Sequence, residues 1–502
     1  MPACARAFAA VDLGAESGRV MVGRVGDRSL ALESVHRFAN LPVRLHDGLH
    51  WDMPRLLTEI LQGIARGARS AGRLEGIGID AWGVDYALLD EAGRMLGLPY
   101  HYRDERVTGD VLARVHARVP RDELYARTGI QTMPINTVFQ LMAEAGGAAV
   151  GAAQRIALIP DLLALWLTGE FANEVTAAST TALLDAREAV WALDLIARLG
   201  LPERPFEAGL VEPGVMLGRV LDGHAASIGR GAATPVWSVA GHDTASAFAA
   251  APIAGPNAAI LSSGTWSLLG LEVERPYLGP DALRFNLTNE RGVDGTIRLL
   301  RNVMGLWLVQ ESRRQWQAAG AIYDYETLHR LARGASGEVA LFDPDHPSLL
   351  HGGDVPGIVA SLCTASGQPP PADPAEMIRC ILTSLACKYR LVLEQLSLVT
   401  GCQVNVVHIV GGGTRNELLC QLTADLLGLP VLAGPEEATA LGNVLVQARA
   451  VGELDSLEQM RDLVGRSAPI ARYEPSAAHP GDETYDRFLA VTGLQSPARA
   501  DV

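Results

Sequence analysis

The sequence predicts an α/β protein built as two similar lobes with a ligand cleft between them. Three observations predict it. The chain has 502 residues, too many for one ordinary core. A strand, a Gly/Ser turn and a second strand open the chain at 7–25, and the same order returns at 257–274. Each opening is followed by segments that alternate between helical and strand periodicity, the mark of helix–strand units.

In chain order, AFAAVDLG (7–14), GRVMVGRV (18–25) and LALESVHRF (30–38) are strand-like runs joined by short turns, an antiparallel triplet. WDMPRLLTEILQGIARGARSAG (51–72) has helical spacing, with Asp52 as N-cap and Pro54 in the first turn. EGIGIDAWGVDYALLDEAG (75–93) returns to strand, with a hairpin expected about Gly83, and helices are expected near 105–118, 137–146 and 159–168. TPVWSVA reads as a buried strand, and ASAFAAAPIAG as a short helix entering the Pro/Gly linker at 251–257. NAAILSSGTWSLLGLEVE (257–274) is again strand, glycine turn, strand. Helices are expected near 303–318 and over 375–399. NVVHIVGGG (405–413) is a strand entering a glycine turn, RNELLCQLTADLLG (415–428) a helix, PVLAG a strand and EATALGNVLVQARAVG (437–452) a final core helix. The lobes are therefore expected over 1–251 and 252–475, with a polar, poorly ordered tail over 476–502.

Composition narrows the function classes. Apolar residues make up 48% and charged residues 20%, which suits a well-packed soluble protein. No apolar run reaches the roughly 18 residues of a membrane helix, and MPACARAFAAVDLG enters a strand directly, so neither a membrane span nor a signal peptide is expected. A net charge of −15 argues against a nucleic-acid or anionic-membrane partner. The six cysteines, Cys4, Cys363, Cys380, Cys387, Cys402 and Cys420, form no CxxC, which disfavours zinc and dithiol chemistry. Free thiols in a reducing cytoplasm are expected, and Cys363 and Cys380, flanking SGQPPPADP, are the pair placed to meet. Lys388, in the amphipathic segment LACKYRLVLEQL, is the only lysine. That excludes a GxxxxGK[ST] phosphate loop and leaves almost no room for Schiff-base chemistry. Arginine in place of lysine, with abundant alanine, points to a GC-rich genome.

Three glycine turns offer another grip on phosphate. In DLGAESGR (12–19), glycines let backbone N–H groups approach an anion, Arg19 adds charge, and Asp12 at the strand end suits Mg²⁺, directly or through water. Glu16 would repel phosphates unless it points away or a metal intervenes. SSGTWSLLG (262–270) offers Ser263, Gly264 and Thr265. VGGGTRN (410–416) leads a strand into a helix N-terminus, where phosphate is favoured. Each alone is also a plain tight turn; together they form a lysine-free way of holding ATP. The stretch AGHDTASAF (240–248) places His242, Asp243 and Thr244 at a strand–helix junction among small apolar residues. A buried carboxylate is costly unless paired or used, so Asp243 is either a helix cap or a working group. Asp80 and Asp85 flank AWGV as sugar ligands or, for Asp80, a strand-end cap; Trp82 is a sugar-stacking or a core residue. Arg103 and Asp104 read as an internal ion pair or as groups reaching the cleft, Trp307 and His408 as core.

AVDLGAESGR, GIDAWGVDYALLD, PYHYRD, GIQTMPINT, GHDTASA, LSSGTWSL, RNVMGLWLVQES and HIVGGGTRNELLCQLTAD occur in this order. In them the chain resembles the FGGY carbohydrate kinases from about residue 7 to 472. WGVD, HDTASA and RNVMGLW resemble the branch of the family that acts on L-rhamnulose. The resemblance implies the two-lobed, actin-like (ribonuclease H-like) ATPase fold, with ATP and sugar in the interlobe cleft. The N-terminal lobe would then serve sugar and phosphate, the C-terminal lobe the nucleotide. It implies Mg·ATP-dependent phosphorylation of L-rhamnulose at O1, in L-rhamnose catabolism, by a cytoplasmic monomer or homodimer. Carried over by motif, Asp243 is the general base, and Gly83, His242, Asp243, Thr244 and Asn302 contact the sugar. Ala15, Glu16, Ser17, Gly18, Arg19, Thr265, Gln310 and Gly412 contact ATP, and Asp12 reaches the metal through water. The chain departs from the family at Ala15, where Thr or Ser is usual, and at Glu16, often Ser. The alternatives are a kinase for another ketose such as L-fuculose or L-xylulose, and a non-enzymatic sugar-responsive regulator of the same fold. The presence of Asp12, Asp243, Thr265 and Gly412 disfavours the regulator.

Overall fold

The computed structural model describes residues 5–499 apart from 27, 230–232, 254, 256, 336–337 and 477–480, so Cys4 and part of the 251–257 linker lie outside the described residues. The elements that build the site are β1 (Arg6–Leu13), β2 (Ser17–Gly26), β3 (Ser29–Ala39), α1 (Met53–Ala71), β4 (Gly76–Ala81), α2 (Val175–Ala178), β5 (Met216–Arg219), β6 (Pro235–Trp237), α3 (Asp243–Ala250), β7 (Ala258–Ser263), β8 (Trp266–Val273), β9 (Ile297–Met304), α4 (Trp307–Ala318), α5 (Pro374–Thr400), β10 (Val406–Val410), α6 (Glu417–Leu427), β11 (Val431–Ala433), α7 (Ala438–Ala450), β12 (Ala471–Tyr473) and α8 (Gly481–Thr492). The chain packs as two compact units: residues up to Pro252 with Glu272–Leu299 and Glu437–Ala468, and Ile253–Leu271 with Leu300–Glu436 and the chain from Pro469.

In the first unit a sheet runs β5-β6-β4-β1-β2-β3. The expected antiparallel triplet is present, and β4 and β6 extend it in parallel. β1 is buried throughout except Arg6, as an apolar run covered on both faces must be. One cover is α1, capped by Asp52 accepting from Arg55 N–H, with Leu56, Ile60, Ile64 and Ala68 turned inward. Another is α7, which the sequence placed with the second lobe. It belongs to the first unit because its polar side chains have partners there: Gln447 donates to Ala9 O (3.0 Å) and Asn443 to Asp80. Gly442 lets α7 cross α3, since a Cβ would lie 1.9 Å from Ser246 O. The hairpin expected about Gly83 does not form. The chain leaves the sheet after Ala81, and Tyr86–Leu89 pairs antiparallel with Arg155–Leu158.

In the second unit the strands run β9-β8-β7-β10-β11-β12. β7 is antiparallel to β8 and parallel to β10, and β10 is parallel to β11. α4 begins at Trp307, later than 303, because 297–304 is strand. The chain beyond 475 is not simply a polar tail. α8 buries Tyr485 and Phe488 fully, Tyr485 donates to Glu394 (2.6 Å), and the Arg390 guanidinium lies over its ring. Cys363 and Cys380 do meet, as free buried thiols hydrogen-bonded to each other. Trp307 and His408 are core, as expected. No helix among the described residues is long and apolar enough to cross a membrane.

Candidate active site

Parallel pairing in the first unit aligns the C-terminal ends of β1, β4 and β6. Asp12 lies opposite Asp80 in the register, and Ala81 bridges to His242, its N–H donating to Gly241 O (2.9 Å). Three carboxylates, Asp12, Asp80 and Asp243, are thereby gathered at one sheet edge, where ligands of such sheets bind.

Each is treated differently. Arg19, opposite Asp12 on β2, donates from Nε and Nη2 to Asp12 Oδ2, both at 2.8 Å, and its Nη1 lies 2.6 Å from Glu437 Oε2. Burial works against the guanidinium charge, but Asp12 and Glu437 outweigh it and raise its pKa. Arg19, expected at the phosphates, is thus held on carboxylates of its own unit. Asp80 is fully buried. Asn443 Nδ2 donates to its Oδ2 (2.6 Å), and its Oδ1 has no partner among the described residues. Burial and the Asp12 charge push its carboxyl well above the usual range.

Asp243 is the first residue of α3, with a side chain 29% exposed. His242, not Asp243, occupies the N-cap position, and no side chain caps this helix. Thr244 Oγ1 donates to Asp243 Oδ1 (3.0 Å), and His242 Nε2 lies 3.4 Å from the same oxygen. Loss of water raises the Asp243 pKa, His242 opposes this, and the Asp12 charge adds to it. The sequence did not indicate what stands behind His242. Arg298, fully buried, lies 3.0 Å from Glu290 Oε2 through Nη1 and 3.2 Å from His242 Nδ1 through Nη2; Glu290 Oε2 is 3.2 Å from the same Nδ1. His242 Nδ1 thus faces both a donor, Arg298, and an acceptor, Glu290, while Nε2 faces Asp243. Glu174 pins the loop from below. It accepts from Gly241 N–H (3.0 Å), Ala177 N–H (2.9 Å) and Thr176 Oγ1 (2.6 Å), while His242 N–H donates to Thr176 Oγ1 (3.2 Å). Burial pushes the Glu174 carboxyl up to about 7 against these bonds.

The first glycine turn is braced from inside the unit. Gly14 N–H donates to Ser17 O, and Asn40 donates from N–H to Glu16 O and from Nδ2 to Gly14 O, all at 2.9 Å. Ala15 and Glu16 are half-buried, whereas Ser17 is exposed. Gly18 has a packing reason of its own, as a Cβ there would lie 2.3 Å from the Phe38 ring. Gly83 lies against Thr180, where a Cβ would come within 2.9 Å of Cγ2, and Val84 N–H donates to Thr180 Oγ1 (3.0 Å). Asp85 is structural: Trp51, Trp82, Tyr102 N–H and Gln140 all donate to it. Trp82 is a core residue, 4.1 Å from Trp51 between ring centroids. Asp104 pairs with Arg106.

In the second unit, β7 ends at Ser263 beside the end of β10. Gly413 is pressed against Ser263, where a Cβ would lie 2.0 Å from Oγ; Gly411 has φ 86°; Gly412 is exposed with open space before it. Leu306 and Trp307 N–H groups donate to Gly264 O (3.0 Å) and Thr265 O (3.2 Å). Gly305 permits this approach, since a Cβ would lie 2.6 Å from the Trp266 carbonyl carbon. The start of α4, with Gln310 in its first turn, is thus stapled to the 264–265 turn, and Asn302 lies on β9, which precedes α4.

Residues 8–249 match the N-terminal domain and residues 259–451 the C-terminal domain of the FGGY family of carbohydrate kinases. The chain belongs to the FGGY carbohydrate kinases. It is 40% identical to the rhamnulokinase of Bacteroides thetaiotaomicron, over 96% of this chain and 98% of that protein. It is also 40% identical to the rhamnulokinase of Enterococcus faecalis, over 97% and 98%. Among solved structures it is similar to xylulose kinase from Rhodospirillum rubrum (TM-score 0.75, 21% identity, 97% and 98% covered). Plasmodium falciparum glycerol kinase with ADP gives 0.76 at 16% identity, with 98% and 99% covered. The fold is therefore that of the FGGY sugar kinases, the actin-like ATPase class.

Proposed function

We propose that this FGGY kinase transfers the γ-phosphoryl group of ATP to O1 of L-rhamnulose, giving L-rhamnulose 1-phosphate, as a cytoplasmic enzyme of L-rhamnose catabolism. The observation that carries the reading is Asp243: a partly exposed carboxylate at a helix start, oriented by Thr244 and His242 and unused by the helix cap. Identity of 40% with rhamnulokinases over nearly the whole chain supports the acceptor.

In this reading, the O1–H proton passes to an Asp243 oxygen as O1 bonds to the γ-phosphorus and the bond to ADP breaks. Phosphoryl transfer has a loose transition state, so the proton can leave late. A carboxylate raised above its ordinary pKa is a stronger base once ionised. Activity therefore rises with pH through the Asp243 pKa. His242 and Thr244 fix the carboxylate and offer donors to other sugar oxygens. Thr265, Gln310 and Gly412 are assigned to ATP, with Ala15–Arg19, and Gly83 and Asn302 to the sugar. Mg²⁺ fits the hard oxygens of Asp12 and of Asp80, whose Oδ1 has no partner among the described residues. No cluster of three His, Cys, Asp or Glu among the described residues holds a metal alone, so water and phosphate would complete its shell. When bound, the ion would offset phosphate charge.

The test is ADP release with Mg·ATP against L-rhamnulose, L-fuculose, L-xylulose, D-xylulose and glycerol, with Asp243→Asn alongside. Preference for L-rhamnulose and a loss of roughly 10²-fold or more in the variant is expected. Preference for another ketose replaces the acceptor and keeps the mechanism. No turnover by folded, ATP-binding protein overturns the reading.

A further inference from the structure

Lys388 is the one basic residue whose identity resists the chain's habit. Of 42 Lys and Arg residues every other one is arginine, and this lysine is only 1% exposed. It lies on α5 with Nζ 2.7 Å from Asp343 Oδ1 and 3.1 Å from Asp345 Oδ2. An ammonium is a compact charge with three donors; a guanidinium is a wide planar fork with five. Two single-oxygen contacts in a closed site suit the former.

The contacts continue toward the sugar residues. The loop at Asp343 is folded on itself, Asp345 N–H donating to Asp343 Oδ1 (3.0 Å), and Phe342 N–H donates to Ser384 Oγ (3.2 Å), one helical turn before Lys388. Asp345 then turns to β9. Its Oδ1 accepts from Met304 N–H (3.0 Å), and its Oδ2 lies 3.4 Å from Arg301 Nη2. These two contacts bracket Asn302. Burial would raise the Asp345 carboxyl, but Lys388 and Arg301 hold it below its usual range, so its charge persists. The next residue on the helix, Tyr389, shares a 2.7 Å hydroxyl bond with Ser267, two positions after Thr265. One turn of α5 therefore indexes both the strand end and the glycine turn.

We infer that Lys388 is a positioning residue for the kinase reaction: through Asp345 it fixes the 301–304 strand end and so the placing of Asn302 against the ketose. The inference rests on the proposed reading of Asn302 as a sugar contact. Purified Lys388→Met, Lys388→Arg, Asn302→Ala and the Lys388→Met/Asn302→Ala double variant are compared for kcat, KM of L-rhamnulose, ADP affinity and melting temperature. Lys388→Met is expected to raise the sugar KM about tenfold with ADP affinity within threefold, and Lys388→Arg to give a smaller rise in the same direction. In kcat/KM the double variant is expected to fall within about twofold of Asn302→Ala alone, because coupled residues are not additive. Asp345→Asn, which keeps shape and removes charge, is expected to repeat the sugar KM rise and carries the test if Lys388→Met does not fold. A lowered melting temperature with unchanged sugar KM, or fully additive losses, overturns the inference. An Asn302→Ala variant with wild-type sugar KM overturns the reading beneath it, a separate result visible in the single variant.

Discussion

The two units repeat one strand order, β6-β4-β1-β2-β3 in the first and β11-β10-β7-β8-β9 in the second, yet the ends of their central parallel pairs, β1 with β4 and β7 with β10, carry opposite chemistry. In the first, Asp12 and Asp80 are the penultimate residues of β1 and β4, and the chain after β6 reaches Asp243. In the second, β7 ends at Ser262 and Ser263, and β10 runs into Gly411–Gly413. The first edge gathers negative charge and must spend Arg19 to neutralise part of it. The second has hydroxyls and backbone N–H groups with no acidic side chain at those ends, which suits an anionic nucleotide. Topology supplies the edge; the residue types at the edge decide its charge.

The comparison breaks first where the carboxylate edge is supported. Arg298→Met leaves Glu290 buried without its cation, and loss of one partner of a buried pair costs about 3–5 kcal/mol. Chemical denaturation of wild type and variant measures it. A loss below about 1 kcal/mol would mean that this edge does not depend on the ion pair.

The next effect is pH-dependent. Glu174 has its carboxyl raised by burial from the ordinary 4.5 to about 7 in the folded chain. The folded state holds this proton more tightly than the unfolded one, so its contribution is complete below about pH 4.5 and is lost as pH rises through 7. The change is about 3 kcal/mol across that window. Denaturation midpoints between pH 5 and 8 are expected to fall with pH, with a flatter slope in Glu174→Gln. A midpoint that climbs through that range, with the same slope in the variant, would contradict this.

The smallest effect compares the two turns directly. Gly14–Ala15 and Gly264–Thr265 occupy equivalent places, but only the second offers a hydroxyl. Thr265→Ala is expected to raise the ATP KM about tenfold, a hydrogen bond to a charged group being worth about 1.5–3 kcal/mol. Ala15→Thr is expected to lower it by no more than about threefold. Steady-state kinetics at saturating ketose reads both. A larger gain from Ala15→Thr than loss from Thr265→Ala would reverse the ranking of the turns.

Much of this was legible. Each glycine turn sits between runs of strand periodicity, and Asp243 stands out because a lone carboxylate among small apolar residues needs a reason. The support of that carboxylate was not legible. Glu174, Glu290 and Arg298 meet Gly241 and His242 only after folding, and no local spacing links them. The hairpin about Gly83 failed because two apolar runs around a glycine match a hairpin pattern, while the indoles of Trp51 and Trp82 and the Gln140 amide draw Asp85 out of the sheet. α7 was assigned to the wrong unit because an apolar helix face does not name its partner; Asn443 and Gln447 do, through bonds to Asp80 and Ala9. In α8 only Tyr485 and Phe488 are fully buried, too few apolar positions to mark a docked helix in a polar stretch.

The central claim, that one edge does the acceptor chemistry and the other holds the nucleotide, is tested most directly by measuring kcat and ADP affinity on the same two variants. Asp243→Asn is predicted to lose turnover by roughly 10²-fold or more while binding ADP within threefold of wild type. Gly413→Ala, whose new Cβ meets Ser263, is predicted to weaken ADP at least tenfold while keeping most of the turnover at saturating ATP. Lost ADP binding in Asp243→Asn, or wild-type ADP binding in a folded Gly413→Ala, would contradict it.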